Sequence, residues 1–284
     1  MNGTVSFDGQ TKAEGSGRKT STPGRVRLRP LALPVEHGGW SLTLEPIALG
    51  LLVAPSAAGI FLSIATLGAF LARHPFKIVA ADRRRGRRFP RTAVALKFLL
   101  LYGGIAAAAG LAALLTAESY AFLLPLAAAV PLASVQLFYD AKGQSRALLP
   151  ELAGSFGLAA VAAGIAAAGG WTLAAALVLW AVMTGRVVPS ILYVHARLAR
   201  LHGETPSTLP TLVTHAAALV FVAVLAWRGA TPGLAVAAFA VLLVRAFAGL
   251  SAKKGGGSAM RVGVAEIGYG VLTVLSVAVG YRLG

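Results

Sequence analysis

Residues 34–46 read Pro-Val-Glu-His-Gly-Gly-Trp-Ser-Leu-Thr-Leu-Glu-Pro, and an apolar run, Ile47 to Ala54, follows at once. In a helical reading, His37, Ser41, Leu44 and Glu45 share one face, and Glu36 lies one turn from Trp40. Two carboxylates and an imidazole at the entrance to an apolar span are costly unless something pairs with them. The stretch therefore reads as a polar site at the mouth of the first span of a multi-pass membrane protein. Glu36, His37 and Glu45 are its candidate proton-transfer residues, and Trp40 is a candidate ligand contact. Gly38-Gly39 between them permits close backbone approach.

Composition supports that reading. The 284 residues are 57% hydrophobic and 13% charged, where a soluble protein carries about 25% charged residues. Mean hydropathy is +0.74. Apolar runs approaching or reaching the roughly 20 residues needed to cross a bilayer recur along the chain. The net charge of +16 is consequently crowded into the loops. That favours anionic lipid headgroups or phosphorylated ligands as partners and argues against a nucleic-acid face. With no cysteine, disulfides and thiolate metal sites are excluded.

Working outward, residues 1–30 are rich in Gly, Ser, Thr, Lys and Arg and cannot bury a core, so they read as a disordered basic tail. No apolar segment with a small-residue cleavage site follows directly, which argues against a cleaved signal peptide. Residues 31–284 form the helical membrane domain. Nine candidate spans fall at about 40–55, 57–73, 93–115, 119–138, 150–168, 171–192, 209–227, 231–249 and 262–281. The first two are short and separated only by Pro55-Ser56, so a tilted pair or one re-entrant segment is an alternative. Short turns join alternate spans, while the longer loops, at 74–92, 139–149, 193–208 and 250–261, share one side with the tail. Of the 26 Lys and Arg residues, only Arg228 and Arg282 fall on the opposite side, and Lys97, Arg186 and Arg245 lie inside spans. This asymmetry places the tail and long loops in the cytosol and the C-terminus outside. The localisation that follows is the bacterial cytoplasmic membrane.

The orientation orders the remaining polar residues. Spans that start at the cytosol carry Glu45, Glu151 and Glu266 in their early turns. Spans that end there carry Arg73, Asp140 beside Tyr139, Arg186 and Arg245 in their last turns. Acids at helix N-termini and cations at C-termini suit the macrodipole, so capping and interhelical ion pairing explain each of them without a ligand. As a group they point further. Arg73-His74-Pro75, with Lys77 one turn on, ends the second span and suits a bound phosphate. Arg146 is the centre of a compact polar loop running from Tyr139 to Glu151. Arg186 lies about two turns inside its span, where only carboxylates or an anionic ligand can hold it. The run from Asp82 to Arg88 reads as a lipid-surface patch. His202 and Glu204 read as ordinary loop residues, and His215 as an interhelical donor. No H-E-x-x-H cluster, Gly-x-Ser-x-Gly elbow or Walker phosphate loop occurs, and Gly255-Gly256-Gly257 reads as a flexible turn.

The motif from Pro34 to Trp40, with Arg73-His74-Pro75 and the segment from Asp140 to Glu151, resembles the YwiC-like family of bacterial integral membrane proteins. The resemblance implies a topology and no particular chemistry. At Val35 the chain departs from the basic residue expected before Glu-His-Gly. In outline, nine spans with a cytosol-facing site also resemble the UbiA-type prenyltransferases. Their two Asp-rich motifs are missing, since Asp82 and Asp140 each stand alone. Any phosphate pocket of that kind would rest on Arg73, Lys77, Arg146 and Arg186, with no metal site.

The sequence therefore leads to an all-α polytopic bundle whose ionisable side chains converge near the cytosolic leaflet. Binding or modification of a phosphorylated or isoprenoid lipid heads the functional readings. Transport of a small anion or metabolite, and a purely structural membrane scaffold, are the alternatives.

Overall fold

A computed structural model describes residues 37–86, 89–251 and 258–284. The basic tail, Glu36, the end of the Asp82–Arg88 run and the Gly255–Gly257 turn lie outside these described residues. Among the described residues there are nine α-helices and no strands. They are α1 (His37–Val53), α2 (Ala57–Arg84), α3 (Pro90–Thr116), α4 (Leu123–Lys142, preceded by a 3-10 turn at Tyr120–Phe122), α5 (Leu148–Ala168), α6 (Leu173–Leu201), α7 (Leu209–Trp227), α8 (Gly233–Ser251) and α9 (Ala259–Leu283).

Eight of these are long and apolar enough to cross a bilayer, so the chain is a multi-pass membrane protein. The exception is α1. Its 17 residues extend for about 25 Å, short of the roughly 30 Å hydrocarbon core. Ser56 separates it from α2 by capping the latter, its hydroxyl accepting from the Gly59 amide at 3.0 Å.

Small side chains set the packing. The helix α5 is Leu-Leu-Pro-Glu-Leu followed by a run dominated by Ala and Gly, and from Ala159 to Ala168 every residue is buried. Without bulky side chains, neighbouring backbones approach closely, which is how helices associate where lipid supplies no hydrophobic drive. The helices α1, α2, α4 and α6 all pack on α5. A Cβ at Gly50 of α1 would collide with Ile165 of α5. The four helices α6–α9 close a second group, and α1 touches both groups through α2 and α5 on one side and α6 and α9 on the other. The outer helices α3 and α4 keep large side chains such as Leu100, Leu115, Leu124 and Val130 exposed, the lipid-facing pattern expected of a membrane bundle.

Two sets of ties mark the ends of the bundle. At the end carrying the long loops, buried Asp82 accepts from Arg91 (3.2 and 2.7 Å) and Thr92 (2.7 Å), fastening α2 to α3. There too Arg197 donates to the Gly249 carbonyl at 2.9 Å and Arg200 to that of Leu250, satisfying orphan carbonyls at the end of α8. At the other end, Arg282 donates to the Leu52 carbonyl (3.1 Å) and Tyr281 to that of Ala230 (2.8 Å).

The helices overrun the apolar segments at the basic end. The second span does not stop at Arg73-His74-Pro75: α2 continues to Arg84 with Pro75 inside it. Likewise α6 runs to Leu201, through residues that hydropathy assigns to a loop. Hydropathy marks where lipid stops, whereas a helix continues until its hydrogen bonding is broken.

Candidate functional site

Along α6, Arg186, Ser190, Tyr193 and Arg197 recur at a spacing of three to four residues and so share one face. That face meets α1, α8 and α9. There Arg186 Nη2 lies 3.5 Å from Glu45 Oε1 and donates to the Glu266 backbone carbonyl at 3.0 Å. Its Nη1 donates to the Ser190 hydroxyl and is 3.6 Å from Glu266 Oε2. Arg245 makes the closer pair, Nη1 to Glu266 Oε1 at 2.6 Å, and its Nη2 donates to Ser190 at 3.1 Å. The Arg245 guanidinium also lies 4.1 Å above the Tyr193 ring and 5.1 Å from that of Tyr269, a favourable cation–π arrangement. Ser41, one turn before Glu45, donates to its Oε1 at 2.5 Å.

Two guanidinium groups thus face two carboxylates, and the cluster is charge-balanced. Arg186 is 2% exposed, Glu45 6% and Arg245 7%, so each charge depends on the others for compensation. The balance is incomplete in its hydrogen bonding. Glu45 Oε2, Glu266 Oε2 and the Nε atoms of Arg186 and Arg245 are buried and make no hydrogen bond among the described residues. A Cβ at Gly270 would fall on the Glu45 carboxyl group, so that glycine makes room for it.

Glu45, Arg186, Ser190 and Glu266 form the floor of a cavity of about 430 Å³ whose walls are mainly apolar, from Leu42, Ile191, Val194, Met260, Val264 and Ile267. A second cavity of about 540 Å³ adjoins it and shares Gly38, Leu42, Glu151, Val194 and Leu198 with the first. Its own lining is more polar and includes Arg73, Arg146, Ser155, His195, His202 and Glu204. At the junction, Glu151 and His195 Nε2 are 2.7 Å apart. Arg73 is held by Asp140 in a two-pronged pair at 2.5 and 3.0 Å, and the Gln136 amide oxygen accepts from the same guanidinium at 3.1 and 3.3 Å. That fork fixes the plane of the guanidinium.

The structure therefore brings together Glu45, Arg186, Arg245 and Glu266, and places Arg73, Arg146 and Glu151 around the adjoining cavity. Other residues singled out by sequence lie elsewhere. Trp40 packs edge-on against Phe70 at 5.1 Å and lines neither cavity. Tyr139 packs edge-on against Phe138, 5.9 Å away. His74 and Lys77 line a shallower cavity of about 420 Å³ at the basic rim, with Asp82 and Arg91. Glu36 and the His37 side chain fall outside the described residues.

Sequence reasoning missed His195, which it assigned to a loop, and Ser190, Tyr193, Ser41 and Gln136, which are uncharged. The face shared by residues 186, 190, 193 and 197 was the available signal. His202 and Glu204, read as ordinary loop residues, line the more polar cavity. His215, read as an interhelical donor, bonds through Nδ1 to the Thr211 carbonyl of its own helix at 2.7 Å. Among the described residues no group of three His, Asp or Glu side chains is placed to hold a metal ion.

No curated protein and no solved structure matches this chain. A family model described as YwiC-like protein matches residues 33–166. That stretch includes Glu45, Arg73, Asp140, Arg146 and Glu151, and it ends within α5, before Arg186, Arg245 and Glu266. From the mouth of α1 almost to the end of α5, this multi-pass membrane protein is similar to the YwiC-like family.

Proposed function

We propose that this protein binds a membrane amphiphile, of the isoprenoid or phosphorylated lipid class, at the cytosolic end of its helix bundle. The observation that carries the reading is the apolar-walled cavity of about 430 Å³ closed by a buried charged floor. Ligand sites of a few hundred cubic ångströms, mostly apolar with a few convergent polar groups, are the common form of small-molecule pocket. A hydrocarbon chain fits against Val194, Met260 and Val264, while the polar end meets the floor. The adjoining cavity, with Arg73, Arg146 and His195, offers the aqueous approach and contacts for an anionic or second polar group. The cytosolic assignment follows from the distribution of Lys and Arg.

Three features bear on the competing readings. Beyond the cluster, Leu49, Leu179, Val182, Met183 and Val277 fill the bundle with essentially no exposure. This favours a blind-ended site over a transport path. A scaffold needs paired charges but no cavity beside them. The Glu151–His195 pair, at the junction of the two cavities, is the best-placed group for proton transfer if the ligand is chemically altered.

Gly263 lines the apolar cavity, and a Cβ added there meets nothing within 4 Å. Gly263→Leu is therefore expected to fill the cavity while leaving the fold intact, and to stabilise the helix by about 0.5–1 kcal/mol. Lipidomics of gently extracted protein should find an amphiphile enriched over bulk lipid in the parent chain and absent from the variant. Equal recovery from both would sink the proposal.

A further inference from the structure

The floor of the apolar-walled cavity has a definite hydrogen-bonding demand. Glu45 Oε2 and Glu266 Oε2 are acceptors and Arg186 Nε is a donor, all buried and without a hydrogen bond among the described residues, as is the Nε of Arg245 behind the floor. Unmet groups of this kind are rare in the interior of a protein because each costs free energy. The last torsion of a glutamate is broad, so a carboxylate can turn part of the way toward the cavity at little cost. Either carboxylate can thus present its free oxygen to the cavity both residues line.

Charge narrows the choice of head group. Two guanidinium groups already face two carboxylates. A phosphate brought onto this floor adds one to two negative charges beside Glu45 and Glu266, and an ammonium adds one beside Arg186 and Arg245. Either leaves a buried charge uncompensated, which is costly in a desolvated site. A hydroxyl adds none, and it both donates and accepts, meeting a carboxylate oxygen and a guanidinium N–H together.

We infer that the apolar-walled cavity selects an amphiphile with a neutral, hydroxyl-bearing head, whose hydroxyl donates to Glu45 or Glu266 while its chain lies along the α6 and α9 walls. This rests on the proposed amphiphile site and names its ligand class. A phosphorylated group, where one is bound, belongs in the adjoining cavity with Arg73 and Arg146.

The test uses three probes with one chain: geranylgeraniol, geranylgeranyl phosphate and geranylgeranylamine. Each is titrated against the full chain in nanodiscs of neutral lipid and read by native mass spectrometry. The alcohol is expected to bind at least about tenfold more tightly than either charged probe, because a charged head leaves a buried charge uncompensated. Gly263→Leu should abolish its binding. Glu45→Gln leaves the cluster one positive charge in excess and should reverse the order of alcohol and phosphate.

Phosphate or amine binding as tightly as alcohol to the unsubstituted protein overturns the neutral-head inference and leaves the amphiphile reading standing. Alcohol binding that survives Gly263→Leu also overturns the inference, because the site then lies elsewhere. Failure of all three probes, together with no co-purifying amphiphile, ends the amphiphile reading itself. Should Glu45→Gln fail to fold, the ranking on the parent chain alone still decides.

Discussion

Arg245 and Glu266 form the tightest pair in the buried cluster, and their energetics depend on what surrounds them. At 2.6 Å with both side chains largely buried, the pair would itself contribute little beyond the cost of desolvating it. Removing one partner leaves the other stranded, which costs about 3–5 kcal/mol. Glu266→Gln should therefore lower the unfolding midpoint sharply in a detergent thermal-shift assay. Adding Arg245→Gln should recover part of the loss, since the two residues are coupled. Additive losses would show that the pair is not a unit. At this scale the sequence was informative where a charge sat in an apolar run. Glu45, Arg186 and Glu266 could be singled out because each falls within a predominantly apolar run. It was silent about Ser41, Ser190 and Gln136, since an uncharged polar side chain in a span is ordinary. It did not separate His74 and Lys77, on either side of Pro75 in α2, from the central cluster, whereas they line the cavity at the basic rim.

Among whole helices, the Ala- and Gly-rich sequence of α5 decides how closely the others approach. Ile165 leaves no room for a Cβ at Gly50, and a larger side chain there must push α1 away from α5. Gly50→Leu is expected to cost about 1–3 kcal/mol or more by overpacking. It should also weaken the Arg186–Glu45 pair, because α1 carries the carboxylate. A monodisperse, unshifted variant on size-exclusion and thermal assays would contradict this. The number of helices and their order were legible in hydropathy alone. Their ends at the basic side were not: α2 and α6 run on through charged residues that pair with neighbouring helices, as Asp82 does with Arg91, or reach orphan carbonyls, as Arg197 does at Gly249. A residue-by-residue polarity scale cannot register such pairing.

For the molecule as a whole, orientation is open to a direct measurement because the chain has no cysteine. Single cysteines at Gln144 and Thr205, in loops of the basic end, should resist an impermeant maleimide applied to intact cells. One at Arg228, at the opposite end, should react. The reverse pattern would invert the topology and put the two cavities on the outer face. The candidate site is also divided along the chain. Its first half lies within the stretch matched by the YwiC-like family, and its second half, with Arg186, Arg245 and Glu266, lies beyond. No single motif could reveal the cluster, since its members meet only when α1 is packed between the two groups of helices.

That separation has a temporal side. Glu45 and Arg186 stand 141 residues apart, and a ribosome adding about 5–20 residues per second needs roughly 7–28 s to travel from one to the other. Throughout that interval the newborn α1 holds an acid with no counter-ion and is too short to span lipid unaided. Until α6 emerges, it must linger near the headgroups, so that its final seating awaits translation of the second half.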